Sequence, residues 1–148
     1  MSDVHCAARL FVVSQTPFQG QVGIDRLAVL ADRLRPERIA AVHHAPDPGM
    51  AAPAGRLAAL LGVMAVTTDG LQESGTETMV DNAAAALQGI ADSYRGEAVV
   101  VVANGALIEL VLPRLATNVP GEPAAQRPVG RGDIVELAAD ADGWQLVP

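Results

Sequence analysis

Lysine is missing from this chain altogether; its ten basic residues are all Arg, set against 17 acidic ones. The net charge of −7 and a pI near 4.7 argue against nucleic-acid binding, because phosphate backbones are held by dense Lys and Arg. Cysteine is almost absent as well. The single Cys6 rules out an intramolecular disulfide framework and any multi-cysteine zinc site, and it reads as a small apolar residue or an incidental thiol rather than a nucleophile. With three His in total, two of them adjacent, a three-histidine metal site is not expected either. Aromatic residues make up only 3% of the chain, so any core must be aliphatic. No apolar run approaches the ~20 residues of a membrane span. The N-terminal MSDVHCAARLFVV mixes acid and basic residues and lacks the long apolar stretch of a signal peptide, which makes a cytoplasmic location the default expectation.

What is present is 148 residues, half of them hydrophobic, enough for one domain spanning 1–148 with its own core. Two stretches share one shape. Residues 9–19, RLFVVSQTPFQ, run from an apolar strand into a polar loop, and residues 98–112, AVVVVANGALIELVL, read as a β-branched strand, a small-residue turn and an apolar helix. In open α/β sheets ligands gather where strand C-terminal ends meet such turns, so these two loops are expected side by side.

Between them, Leu27, Leu30, Ala31 and Leu34 recur at helical spacing, and residues 39–42 form a short second strand. Residues 43–53, HHAPDPGMAAP, look like a loop because of their three Pro and one Gly. Leu57, Leu60 and Leu61 mark a helix closed by Gly62, and residues 64–67 a weaker strand. Val80, Ala83, Leu87, Ile90 and Ala91 share one face of a helix over 79–94, with Gly96 placed to stop it at C′. Residues 117–132 are rich in Pro and Gly and read as a loop. Residues 134–138 and 144–147 pair as antiparallel strands, joined by a turn at Asp142-Gly143. The alternation predicts a three-layer α/β/α sandwich with a mostly parallel sheet and an antiparallel C-terminal strand pair.

This order of elements resembles the histidine phosphatase superfamily, also called phosphoglycerate mutase-like, over nearly the whole chain. The resemblance runs through the early strand and loop, the helix IDRLAVLADRLRPERIAAV, the proline loop, the L-x-E segment ending at Glu73, GEAVVVVANGALIELVL, and the final WQLV. It lies in layout and apolar pattern, and it stops at the catalytic residues. The family opens its site with Arg-His-Gly, in which His takes the phosphoryl group; here Ser14 and Gln15 stand at the Arg and His positions. A two-residue deletion instead aligns Gln15 and Thr16 with the residues that follow that motif, and neither alignment restores a His or Arg. The family's Ser-Ser-Pro falls on His44, Ala45 and Pro46, with its phosphate-binding Arg position near Pro48 or Gly49 and the next Arg at Arg56. The family's Ser-His-Gly loop is replaced by Ala103, Asn104 and Gly105, and only Glu73, at the proton donor's place, survives by type.

A carboxamide such as Gln15 offers no nitrogen lone pair, so it cannot replace imidazole as the phosphoryl acceptor. The resemblance implies two Arg and two His around the phosphate, all four missing at their matched positions. Each charged hydrogen bond is worth about 1.5–3 kcal/mol, so phosphate affinity should fall by orders of magnitude. The expected reading is a pseudoenzyme that binds a small ligand or protein partner in a remodelled pocket lined by Ser14, Gln15, Thr16, His44, Glu73, Asn104 and Gly105. The alternative is an enzyme of changed chemistry, with Glu73 and His43 or His44 as acid and base on a non-phosphate substrate; residual phosphatase activity ranks below both. Neighbours in an extended segment face opposite ways, so His43 and His44 are not expected to share a ligand. Neither a metal, a cofactor, a nucleic acid nor a membrane is expected as partner, and a homodimer is compatible with a compact α/β domain though no stripe specifies one.

Overall fold

The structure is a computed structural model that describes residues 7–14, 20–46, 48–71, 79–103, 105–115, 134–140 and 143–147. Six strands, β1 (Ala8–Ser14), β2 (Ile39–His44), β3 (Met64–Thr67), β4 (Ala98–Ala103), β5 (Ile134–Asp140) and β6 (Gly143–Val147), form one sheet in the order β3-β2-β4-β1-β5-β6. The first four are parallel; β5 runs antiparallel to β1, and β6 antiparallel to β5. Among the described residues four α-helices cover the sheet: α1 (Gly20–Leu34), α2 (Pro48–Leu61), α3 (Met79–Ser93) and α4 (Gly105–Leu115). This is the expected α/β/α sandwich.

The direction of travel explains the layering. From β1 to β2 to β3 the chain moves one way across the sheet, and from β3 to β4 to β5 it moves back. Right-handed crossovers put helices of opposite travel on opposite faces. Accordingly α1 packs on α2, and α3 on α4. Strand β4, AVVVVA, is buried at all six positions, as a β-branched strand covered on both faces should be. Val12, Val101 and Ala103 meet Leu87 of α3 and Leu107 and Ile108 of α4 around a small apolar cavity. On α1, Leu27, Leu30, Ala31 and Leu34 are buried while Asp32 and Arg33 are exposed. On α3, Ala83, Leu87, Ile90 and Ala91 form the buried stripe, and Val80 is half-buried.

Three expectations need correction. Residues 43–53 are not one loop: β2 extends through His44 and α2 begins at Pro48. Pro is well suited to the first helical position, and the buried stripe of Met50, Ala54, Leu57 and Ala58 carries the helix past Pro53. The C-terminal hairpin is present, but Asp140 pairs with Gly143, so its connecting residues are 141–142, one position earlier than expected. Val135, Leu137 and Ala139 continue the buried alternation and keep β5 in the ladder to Asp140. Gly96 takes a φ of +79°, yet it follows a turn beyond Ser93 instead of sitting at C′. The expected loop at 117–132 lies outside the described residues.

Gly62 closes α2 as expected, and its hydrogen bonds show how. The Val63 amide donates to the Ala58 carbonyl at 3.0 Å and the Gly62 amide to the Ala59 carbonyl at 3.3 Å, the paired bonds of a Schellman motif. Gly62 has φ +72° and nothing within 4 Å of where a Cβ would sit. Gly62→Ala should therefore lose only the backbone preference, about 1 kcal/mol, measurable as a shift of the urea midpoint at unchanged slope.

Candidate functional site

Strands β1 and β4 are neighbours in register, with Ser14 opposite Ala103 at their last positions. The chain leaves β1 towards α1 and leaves β4 directly into α4, on opposite faces, which makes this the topological switch point where a crevice opens in such sheets. The strands of the two stretches thus end side by side, while residues 15–19 and 104 of their loops lie outside the described residues. Gly105 is the first residue of α4. Gln15, Thr16, Glu73 and Asn104 lie outside the described residues.

Strand β2 borders β4 on the other side and ends in the two histidines, with His43 opposite Val101 and His44 opposite Val102. Both are buried, at 8% and 5% exposure, and they face opposite sides of the sheet as the strand period requires. On the α3 side, His43 Nδ1 lies 2.7 Å from Thr68 Oγ1 and Nε2 lies 3.0 Å from the Tyr94 hydroxyl. The Tyr94 ring meets the imidazole edge to face, with centroids 5.3 Å apart. Burial pushes the His43 pKa below its ordinary value of 6.5, and the neighbouring His44 adds to the effect.

On the other face, His44 Nδ1 donates to the Ala45 carbonyl at 2.7 Å. A carbonyl can only accept, so Nδ1 carries the proton and the lone pair of neutral His44 is on Nε2. Among the described residues that nitrogen has only a long contact, 3.4 Å, from Thr67 Oγ1. His44 is therefore held in one tautomer at the C-terminal end of its strand, with its acceptor nitrogen weakly engaged by the described residues.

Three of the arginines among the described residues are bonded elsewhere. Arg9, in the first half of β1, donates to Glu37 at 2.6 Å, just ahead of β2. Arg95 donates to the Ala139 carbonyl, beside Ala8 at the start of β1, and Arg35 to the Leu60 carbonyl at the end of α2. All three serve the opposite end of the sheet. Arg56 sits within α2, about two helical turns beyond its start, and is exposed. Among the described residues no cluster of His, Cys, Asp and Glu could hold a metal ion, and no helix is long and apolar enough to cross a membrane.

The sequence singled out both histidines but not Thr68 or Tyr94, which complete the His43 cluster. They stand 25 and 51 residues away from it, and nothing local marks them. Tyr94, the chain's one Tyr, reads in the sequence only as the end of a helix.

No protein-family model matches the sequence, and neither does any curated protein sequence. Solved structures do match over almost the full length. YhfR of Bacillus stearothermophilus superposes with a TM-score of 0.78 at 13% identity, covering 95% of this chain and 96% of that one. The protein histidine phosphatase SixA, solved with tungstate, gives 0.71 at 16% identity over 95% and 94% of the two chains. Phosphoglycerate mutase of Plasmodium falciparum gives 0.68 at 14% identity over 97% and 90%. At such identities the likeness is one of fold: this chain carries the fold shared by phosphoglycerate mutase and the histidine phosphatases.

Proposed function

We propose that this protein is a catalytically degenerate histidine-phosphatase-like protein that binds a small uncharged ligand or a protein partner in the cleft between β1 and β4. The observation that carries the reading is the level ending of these strands at Ser14 and Ala103. The residues that follow in sequence are Gln15 and Asn104, two neutral carboxamides where the resemblance calls for two imidazoles. SixA was solved with tungstate, a phosphate-like oxyanion. Here three of the arginines are committed to partners at the far end of the sheet. Carboxamides and hydroxyls both donate and accept and carry no charge, which suits a neutral polar ligand better than a dianion.

An enzyme of changed chemistry is the second reading, and the histidine geometry narrows it. Both nitrogens of His43 are engaged within 3.0 Å, whereas among the described residues His44 Nε2 has only the 3.4 Å contact from Thr67. An acid or base on this cleft would be His44, working with Glu73.

The deciding experiment is incubation of the purified chain with a phosphomonoester such as p-nitrophenyl phosphate, with acid-labile phosphoenzyme measured in parallel. Turnover at the buffer background and no phosphoenzyme are expected. Hydrolysis that disappears on Gln15→Ala or Glu73→Ala would overturn the proposal. A thermal-shift series should show larger stabilisation by neutral metabolites than by their phosphorylated forms.

A further inference from the structure

We propose that His43 is a pH-responsive clasp: its ring ties the end of β3 and the turn after α3 to β2, and the tie loosens when the ring takes up a proton. Three chain segments meet at this one imidazole. Thr68, the residue after β3, contacts Nδ1 at 2.7 Å, and Tyr94, the residue after α3, contacts Nε2 at 3.0 Å. The Thr68 amide also donates to the His44 carbonyl at 2.8 Å, so the clasp holds the backbone at the end of β2 as well as the side chain.

A neutral ring suits this cage. One ring nitrogen donates to a hydroxyl and the other accepts from a hydroxyl, so both partners are satisfied in either tautomer. In the protonated ring both nitrogens donate, and the hydroxyl that had donated must turn its proton away. The surroundings offer the charge little help. From β4 comes Val101 and from β3 Val66, the two register partners of His43. From β2 itself comes His44, which adds to the lowering of the His43 pKa. On the α3 side, Tyr94 presents its hydroxyl, while the next residue, Arg95, is taken by Asp92 and the Ala139 carbonyl. Asp69, after Thr68, is exposed. Among the described residues no carboxylate bonds the ring.

The sign follows from the depressed pKa. Above 6.5 the ring is neutral in both the folded and the unfolded chain, and the clasp contributes fully. As the pH falls below 6.5 the unfolded or unclasped chain takes up a proton that the clasped state resists. The contribution shrinks until the pH passes the folded value, where the loss is complete. This holds whether or not the cleft binds a ligand, and its test reads no activity.

The test is an NMR titration of the full chain from pH 7.5 to 4.5, following the His43 ring and the exchange protection of the Thr68 amide. The His43 midpoint is expected below 6.5. Thr68 protection should fall across the same range, about tenfold for each pH unit by which the midpoint is depressed, while the Leu30 and Leu34 amides of α1 keep theirs. His43→Gln should make Thr68 protection independent of pH, and His44→Gln should raise the His43 midpoint. A His43 midpoint at or above 6.5 would overturn the clasp. So would Thr68 protection that stays constant while His43 titrates, and the wild-type titration gives that result even if a variant does not fold.

Discussion

Leu10→Ala and Leu137→Ala should each cost about 2–5 kcal/mol, and the double variant should cost less than their sum. The two leucines stand directly opposite each other on β1 and β5, and neither has any exposed surface. Truncating either leaves a cavity that tightly packed neighbours fill only in part. Because the two side chains share one face and touch the same space, the second truncation enlarges a cavity that the first has opened. A coupling of about 0.5–3 kcal/mol is expected from the double-mutant cycle. In a scanning calorimeter each single variant should melt about 4–20 °C lower. The measurement bears on the architecture directly, because β5 follows the long segment after α4 and reaches β1 only by tertiary pairing. Strict additivity, or single costs below about 1 kcal/mol, would place β5 elsewhere.

Gly70→Ala is expected to destabilise the chain by about 2–4 kcal/mol, well beyond the cost at Gly62. Both glycines have positive φ, +97° at Gly70 and +72° at Gly62, so each substitution meets a backbone penalty. They differ in room. A Cβ at Gly70 would lie 3.1 Å from the Asn82 carbonyl oxygen and 3.1 Å from the Ala86 Cβ, both on α3, whereas Gly62 is open. The Asn82 oxygen belongs to helical backbone and cannot yield without moving α3. Gly70 also lies between two fixed points, Thr68 on the His44 carbonyl and the buried Leu71. Urea melts of the two variants side by side provide the check. Equal midpoints would show that α3 does not approach Gly70 as closely as the structure has it.

Much of the fold was legible because burial writes a period into the sequence. The strand AVVVVA is apolar at every position since helices cover both of its faces. The stripe Ala83, Leu87, Ile90 and Ala91 repeats at the helical interval because only one side of α3 meets the sheet. Where local and tertiary preferences disagreed, the sequence misled. Three prolines made residues 43–53 look irregular, yet Pro48 starts a helix and the apolar stripe outweighs Pro53. The hairpin turn slipped by one residue because Asp-Gly is a strong local turn signal, while the buried alternation of β5 sets where pairing ends.

The site divides in the same way. Sequence alone determined which residue types stand at the ends of β1 and β4 and that Ser14, Gln15, Ala103 and Asn104 carry no charge; that chemistry is a property of side chains and needs no folding to be read. It also determined that His43 and His44 must diverge, since successive strand residues point to opposite faces. Only the tertiary structure decided that β1 and β4 end level with each other, and that His43 is bonded to Thr68 and Tyr94 while His44 rests on the Ala45 carbonyl. Those contacts join segments far apart in the chain, and their distances follow from how helices pack across the whole sheet. No local pattern of residues encodes that packing.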